Sequence, residues 1–122
     1  MNAPKLFRIL YVTRNEGDCL LLRALLDFPF IEIVMAETAA DAVIEAQSGR
    51  FNLYLLETRL PDGDGFELCR AMREIAPQTP VVFYTGDAGE NYKQKGLAAG
   101  ADVYLAKPYV DSLTTTLTKF IM

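Results

Sequence analysis

The stretch NLYLLETRLPDGDGFEL, residues 52–68, decides the fold. Leu53, Tyr54, Leu55 and Leu56 form a continuous apolar run, which predicts a strand covered on both faces. An acid, Glu57, stands at its exit, followed by Thr58 and Arg59. Pro61-Asp62-Gly63 then signals a turn, combining a fixed φ, a side chain able to bond its own backbone and a residue without Cβ. Asp64 can cap a helix running to about Glu74, with Phe66, Cys69, Met72 and Arg73 in its pattern. A buried strand, a carboxylate at its end and a turn into a helix make one β-α unit.

Outward from it the unit repeats. Leu6 to Val12 reads as a strand and Glu16 to Asp27 as a helix with Cys19, Leu22, Leu25 and Leu26 at helical spacing. Ile31 to Met35 is a second strand. Thr38 to Ser48 is a second helix, opened by Thr38 and Asp41 in a shortened capping box and stopped by Gly49. Pro77 and Pro80 end the third helix. Val81 to Tyr84 is a fourth strand, Glu90 to Ala99 a weak helix interrupted by Gly96, Val103 to Leu105 a fifth strand, and about Asp111 to Ile121 the last helix. Its threonines, in LTTTLTKF, are poor helix formers and leave open a solvent face or a helix that leans on a partner. Five such units predict a parallel sheet between two helical layers.

At 122 residues the chain suits one domain, and 51% hydrophobic with 23% charged residues suits a packed core. A net charge of -4 and the lack of a basic run argue against a general nucleic-acid binder, though not against a local basic patch. Cys19 and Cys69 fall in apolar segments far apart, as expected of buried thiols in a reducing cytoplasm. No apolar stretch approaches a membrane span, no signal peptide is evident, and there is no His to serve as base or zinc ligand.

In open parallel sheets, function gathers at the carboxyl ends of the strands. The exits here are Thr13-Arg14-Asn15, Glu57-Thr58-Arg59, Thr85-Gly86-Asp87 and Ala106-Lys107-Pro108. In this order, with LPDGDGFEL after strand three, PVVFYTG at strand four and GLAAGADVYLAKPY around strand five, the chain from about Phe7 to Phe120 resembles the receiver domains of bacterial two-component response regulators. The resemblance implies a flavodoxin-like (βα)5 sandwich with strand order 2-1-3-4-5. It also implies phosphoryl transfer to an aspartate at the end of strand three. An acidic pair after strand one would hold Mg²⁺, a lysine before proline and a hydroxyl after strand four would meet the phosphoryl group, and an aromatic on strand five would reorient.

By that resemblance Lys107 is the lysine, Thr85 the hydroxyl and Tyr104 the aromatic. Three positions depart: Thr13 and Arg14 replace the acidic pair, and Glu57 replaces the acceptor aspartate. The family site carries three acids and one lysine, -3 + 1 = -2. Here Glu57, Arg14 and Lys107 give -1 + 1 + 1 = +1. Mg²⁺ needs carboxylate oxygens, so this is a poor site for it, and no metal or other cofactor is expected. Glutamate is longer than aspartate by about 1.5 Å. Glu57 therefore either imitates a phosphorylated aspartate, reaching Lys107 and Thr85, or is a leftover carboxylate neutralised by Arg14 and Lys107. Tyr104 turned inward and a Glu57–Thr85 contact would favour imitation. Arg59 is expected at the surface, Asp62 and Asp64 in turn and cap, and Asp18 on the solvated side of helix one. Leu20 and Leu21 beside Leu22 would leave an apolar patch.

The favoured function is a non-enzymatic pseudo-receiver, a cytoplasmic signalling module acting through a histidine kinase, phosphotransfer or output domain. A homodimer through the face of helix four, strand five and helix five, with Tyr92, Lys93 and Tyr104, is also implied. A phosphoacceptor at Asp62 or Thr85 lacks a metal nearby. A different class, an anion- or nucleotide-binding domain using Arg14, Arg59 and Lys107, lacks a glycine-rich phosphate loop after strand one. The chain closes on its last helix at Phe-Ile-Met, as expected either of a free-standing domain or of one cut from a longer protein.

Overall fold

The structure, a computed structural model, describes residues 5–122. The five strands of the main sheet are β1 (Phe7–Val12), β2 (Ile31–Ala36), β3 (Leu53–Leu56), β4 (Val81–Thr85) and β5 (Val103–Ala106). They alternate with α1 (Glu16–Leu25), α2 (Ala39–Ser48), α3 (Gly65–Ile75), α4 (Glu90–Ala98) and α5 (Val110–Ile121). All neighbours pair in parallel and the spatial order is 2-1-3-4-5, the flavodoxin-like arrangement that the resemblance implies. Register places Val12 beside Leu56, and Thr85 beside Ala106, so the exits lie together at one end.

β3, and β4 up to Thr85, are apolar throughout because each feeds two cores, whereas Arg8 of β1 and Glu32 of the edge strand β2 pair with each other. Leu10, Val12, Tyr54, Leu56, Val81 and Phe83 pack with Leu68, Cys69 and Met72 of α3 and Ala42 and Ala46 of α2. Ile9, Tyr11, Leu53, Leu55, Val82 and Tyr84 point the other way, onto Cys19 and Leu22 of α1 and Leu113 and Leu117 of α5. Side chains that alternate between two buried faces need apolar residues at every position. Both cysteines are free and buried.

Several boundaries differ from the sequence expectation. α1 stops at Leu25, because Leu26 caps it by donating to Leu22 O and Pro29 disfavours helical backbone in the residue before it. Gly49 ends α2 in extended rather than left-handed backbone, its N–H still reaching Glu45 O. Thr38 Oγ1 accepts from Asp41 N at 3.0 Å. The amides of Ala39 and Ala40 are taken by Asp62, which reaches across from the β3–α3 connection at 2.8 and 3.0 Å. Asp62 thus caps α2 rather than its own turn, and these two bonds hold its carboxyl below the usual carboxylate range. Asp64 caps α3 as expected, accepting from Glu67 N. Between them, Arg59–Leu60 and Gly63–Asp64 form a small antiparallel ladder. In α5, Thr114 and Thr118 donate to the carbonyls of Val110 and Thr114, so part of the threonine run bonds back onto its own helix.

Candidate functional site

Glu57 leaves the end of β3 with its backbone N–H still tied to Val12 O. Its side chain is 14% exposed and accepts a hydrogen bond from Lys107 Nζ. The same ammonium donates to Asp18 Oδ2 in the first turn of α1. Lys107, before a cis peptide bond to Pro108, therefore bridges α1 and β3 from the end of β5. Its stem passes the Tyr84 ring, with Nζ 5.7 Å from the centroid. Burial pushes the Glu57 carboxyl up, opposed by its bond to Lys107. Burial also works against the Lys107 ammonium, but its bonds to Asp18 and Glu57 leave its pKa raised.

This corrects two expectations. Asp18 is not on the solvated side of α1 but is a partner of Lys107. Arg14 is exposed, and among the described residues it forms no salt bridge, to Glu57 or otherwise. The local charge is therefore set by Glu57, Asp18 and Lys107, -1 - 1 + 1 = -1, rather than +1. Asp18 escaped the sequence argument because it neighbours Cys19 and Leu22, and its partner lies 89 residues away. Thr13 is fully buried and organises the start of α1. Its Oγ1 accepts from Asn15 N, and Asn15 caps the helix through Asp18 N.

A second network sits on the other side of Glu57. Thr58 and Thr85 are 2% and 1% exposed, and their hydroxyl oxygens are 2.7 Å apart. Thr58 Oγ1 also donates to Asp87 Oδ2 at 2.5 Å. An ionised carboxylate only accepts, so Thr58 spends its proton on Asp87 and must accept from Thr85. Thr85 has one proton and gives it to Thr58; the direct Glu57–Thr85 bond of the imitation reading is not formed. Thr85 lies close enough to Glu57 to favour its charged form, after Lys107. Arg59, exposed as expected, closes on Asp87 through Nε (3.0 Å to Oδ2) and a second nitrogen (3.2 Å to Oδ1). The Arg59 guanidinium and then the Thr58 hydroxyl hold the Asp87 carboxyl below the usual range.

Tyr104 is turned inward, 9% exposed, between Phe83 and α4. Its hydroxyl donates to the carbonyl of Asp87, and burial followed by the Asp87 charge pushes its pKa up to about 12. Tyr11 of β1 has a buried hydroxyl with no hydrogen-bond partner among the described residues. Its pKa is raised by burial and then by the charges of Asp18 and Glu57.

Glu57, Thr58, Arg59, Thr85, Gly86 and Asp87 line a shallow mouth of about 120 Å³. A larger cleft, about 650 Å³, lies at the opposite end of the sheet between α2 and α3. The donor set at the mouth does not fit Mg²⁺. Glu57 and Asp18 are both spent on Lys107, Asp87 is spent on Thr58 and Arg59, and Thr13 is engaged with Asn15. Two of the three cations considered for anion binding, Lys107 and Arg59, are already neutralised by carboxylates. Leu20 and Leu21 are exposed on α1, as expected.

Comparison with known proteins gives one consistent answer. The model of the response regulator receiver domain matches residues 10–118. The transcriptional regulatory protein CiaR of Streptococcus pneumoniae is 33% identical over 96 residues, 77% of this chain and 43% of that protein. The signal transduction histidine-protein kinase BarA of Escherichia coli is 32% identical over 102 residues, 82% of this chain and 11% of that protein. The chain spans less than half the length of these relatives. A CheY-like response regulator receiver domain protein from Methanospirillum hungatei superposes with a TM-score of 0.85 at 30% identity, covering 96% of this chain and 95% of that one.

Proposed function

This chain belongs to the response regulator receiver family of two-component signalling, and we propose that within it the domain is a pseudo-receiver working without Mg²⁺-dependent phosphorylation. One observation carries the proposal: Lys107, the lysine expected to meet a phosphoryl group, is bound by two carboxylates of its own chain, Glu57 and Asp18. Glu57 stands at the phosphoacceptor-equivalent position. Thr13 and Arg14 stand where the acidic pair is lost, and Thr85, Tyr104 and Lys107 keep the remaining positions. Acyl-phosphate formation at a carboxylate needs a cation to neutralise the phosphoryl oxygens, an effect worth several kcal/mol, about 4 or more. The acids that would hold such a cation are here spent on a lysine.

The bond from Lys107 to Glu57 and the inward Tyr104 support imitation of a phosphorylated acid, whereas Thr85 is turned to Thr58. Output is by protein contact, with a histidine kinase, phosphotransfer or output domain as partner and the face of α4, β5 and α5 as a dimer surface. Among the described residues, no helix is long and apolar enough to cross a membrane. Incubation with Mg²⁺ and phosphoramidate or acetyl phosphate, followed by intact mass, is expected to show no adduct. A phosphate on Glu57 overturns the proposal.

A further inference from the structure

The connection from β4 to α4 is Gly86-Asp87-Ala88-Gly89. It has little stiffness of its own. A side chain at Gly86 would meet nothing within 4 Å, Gly89 has φ +115°, and α4 starts without a side-chain cap. Yet this segment receives Tyr104 and leads into α4. Its anchor is Asp87, held at three points: the carboxylate by Thr58 and Arg59, the amide by Thr85 Oγ1 at 3.2 Å, and the carbonyl by the Tyr104 hydroxyl.

These bonds run in one direction. Thr85 donates to Thr58, Thr58 donates to Asp87, and the carboxylate ends the chain. Glu57 is bound by Lys107, and Thr85, though near enough to favour its charged form, gives its proton to Thr58. We propose that Thr58, Asp87 and Arg59 form a built-in latch that fixes the β4–α4 connection and, through the Asp87 carbonyl, holds Tyr104 inward independently of Glu57. Gly96 completes the device. A Cβ there would come within 2.7 Å of the Tyr104 ring, so the inward pose requires that α4 present a bare backbone at this position. The inference rests on the pseudo-receiver reading only in taking the Tyr104 face as the one partners see.

The test uses the whole chain labelled with 3-fluorotyrosine and read by ¹⁹F NMR. Loss of a resonance in Tyr104→Phe assigns Tyr104; Tyr109, 65% exposed, marks the solvated position, assigned likewise by Tyr109→Phe. Asp87→Ala is expected to move the Tyr104 resonance toward that of Tyr109, and Thr58→Val to move it the same way by less. Glu57→Gln is expected to leave it in place. An unmoved Tyr104 in folded Asp87→Ala overturns the latch, as does a Glu57→Gln displacement equal to that of Asp87→Ala. Far-UV circular dichroism checks folding; should Asp87→Ala be unfolded, the isosteric Asp87→Asn, with the same two outcomes, replaces it. A phosphate adduct on Glu57 would sink the pseudo-receiver reading and leave the fluorine result to judge the latch alone.

Discussion

Replacing Lys107 by methionine keeps an unbranched apolar stem and removes the one charge that Glu57 and Asp18 share. Breaking a buried pair from one side costs about 3–5 kcal/mol, because the partner stays buried and uncompensated. Here the three side chains are 14–23% exposed, so water softens the loss. The expected cost is about 2–4 kcal/mol. With a urea slope of roughly 2 kcal/mol per molar, the middle of the range for small domains, the midpoint should fall by about 1–2 M. The pH dependence identifies the cause. Glu57's folded pKa already lies above its ordinary 4.5 through burial, and losing Lys107 raises it further. A raised carboxyl contributes stability that is present below the unfolded pKa and lost as pH rises through the folded one. The gap between parent and variant should therefore narrow on acidification, from neutral pH down through the raised Glu57 pKa. Adding Glu57→Gln to Lys107→Met should recover about 1 kcal/mol or more, a coupling expected only of groups in contact. A Lys107→Met variant within about 0.5 kcal/mol of the parent, or a gap unchanged from about pH 8 to pH 4, would refute the reasoning.

Three further outcomes follow from the geometry. Gly65→Ala should cost about 3 kcal/mol or more in chemical unfolding, because its Cβ would stand 1.9 Å from the carbonyl oxygen of Glu57; a cost below about 1 kcal/mol would contradict that close approach. Gly96→Ala should destabilise by about 1–2 kcal/mol despite alanine's roughly 1 kcal/mol advantage in a helix, and combining it with Tyr104→Ala should restore that advantage; equal effects in both backgrounds would rule out the ring contact. Asp87→Asn should be less stable than the parent by about 1 kcal/mol at neutral pH. Because the Asp87 carboxyl is held below its ordinary 3.8, its contribution is present above that value and lost as pH falls through the folded pKa. Parent and variant should thus converge in acid melts, and a constant difference would count against the Arg59–Asp87–Thr58 cluster.

The strands were legible because a strand buried on both faces needs apolar residues at every position, and Leu53 to Leu56 satisfies this without interruption. The helices were legible by period, with ends displaced where tertiary partners decide them. Lys107 at Glu57 was reached through the resemblance to receiver domains, carried by the Lys-Pro step and the order of strand exits. Asp18, Asp62 and Asp87 were not recognised in their roles. Each acts on a residue that only the folded sheet brings near: Lys107, the first turn of α2, and the Thr58–Arg59 pair. Nothing local distinguishes Asp18 from any solvated acid on a helix. Thr58 was visible as a strand-exit residue, but its place between Thr85 and Asp87 depends on β3 and β4 being neighbours. Arg14 shows the converse. It stands next to the right strand end, and exposure left it out of the cluster.

The bridge through Lys107 joins residues 89 positions apart in one direction and 50 in the other. Contacts that close such long loops are entropically late, and a lone ammonium gains little from entering an apolar site before both acids are in place. The bridge should therefore be absent from the folding transition state, with a φ-value near zero. Its stabilisation then belongs to the exit barrier. Lys107→Met should steepen escape from the native state, raising the unfolding rate by roughly one to three orders of magnitude, while the refolding rate stays almost unchanged. Stopped-flow chevrons that instead showed slowed refolding would place the bridge in the nucleus. In kinetic terms the three side chains act as a clasp that closes last and sets the native lifetime.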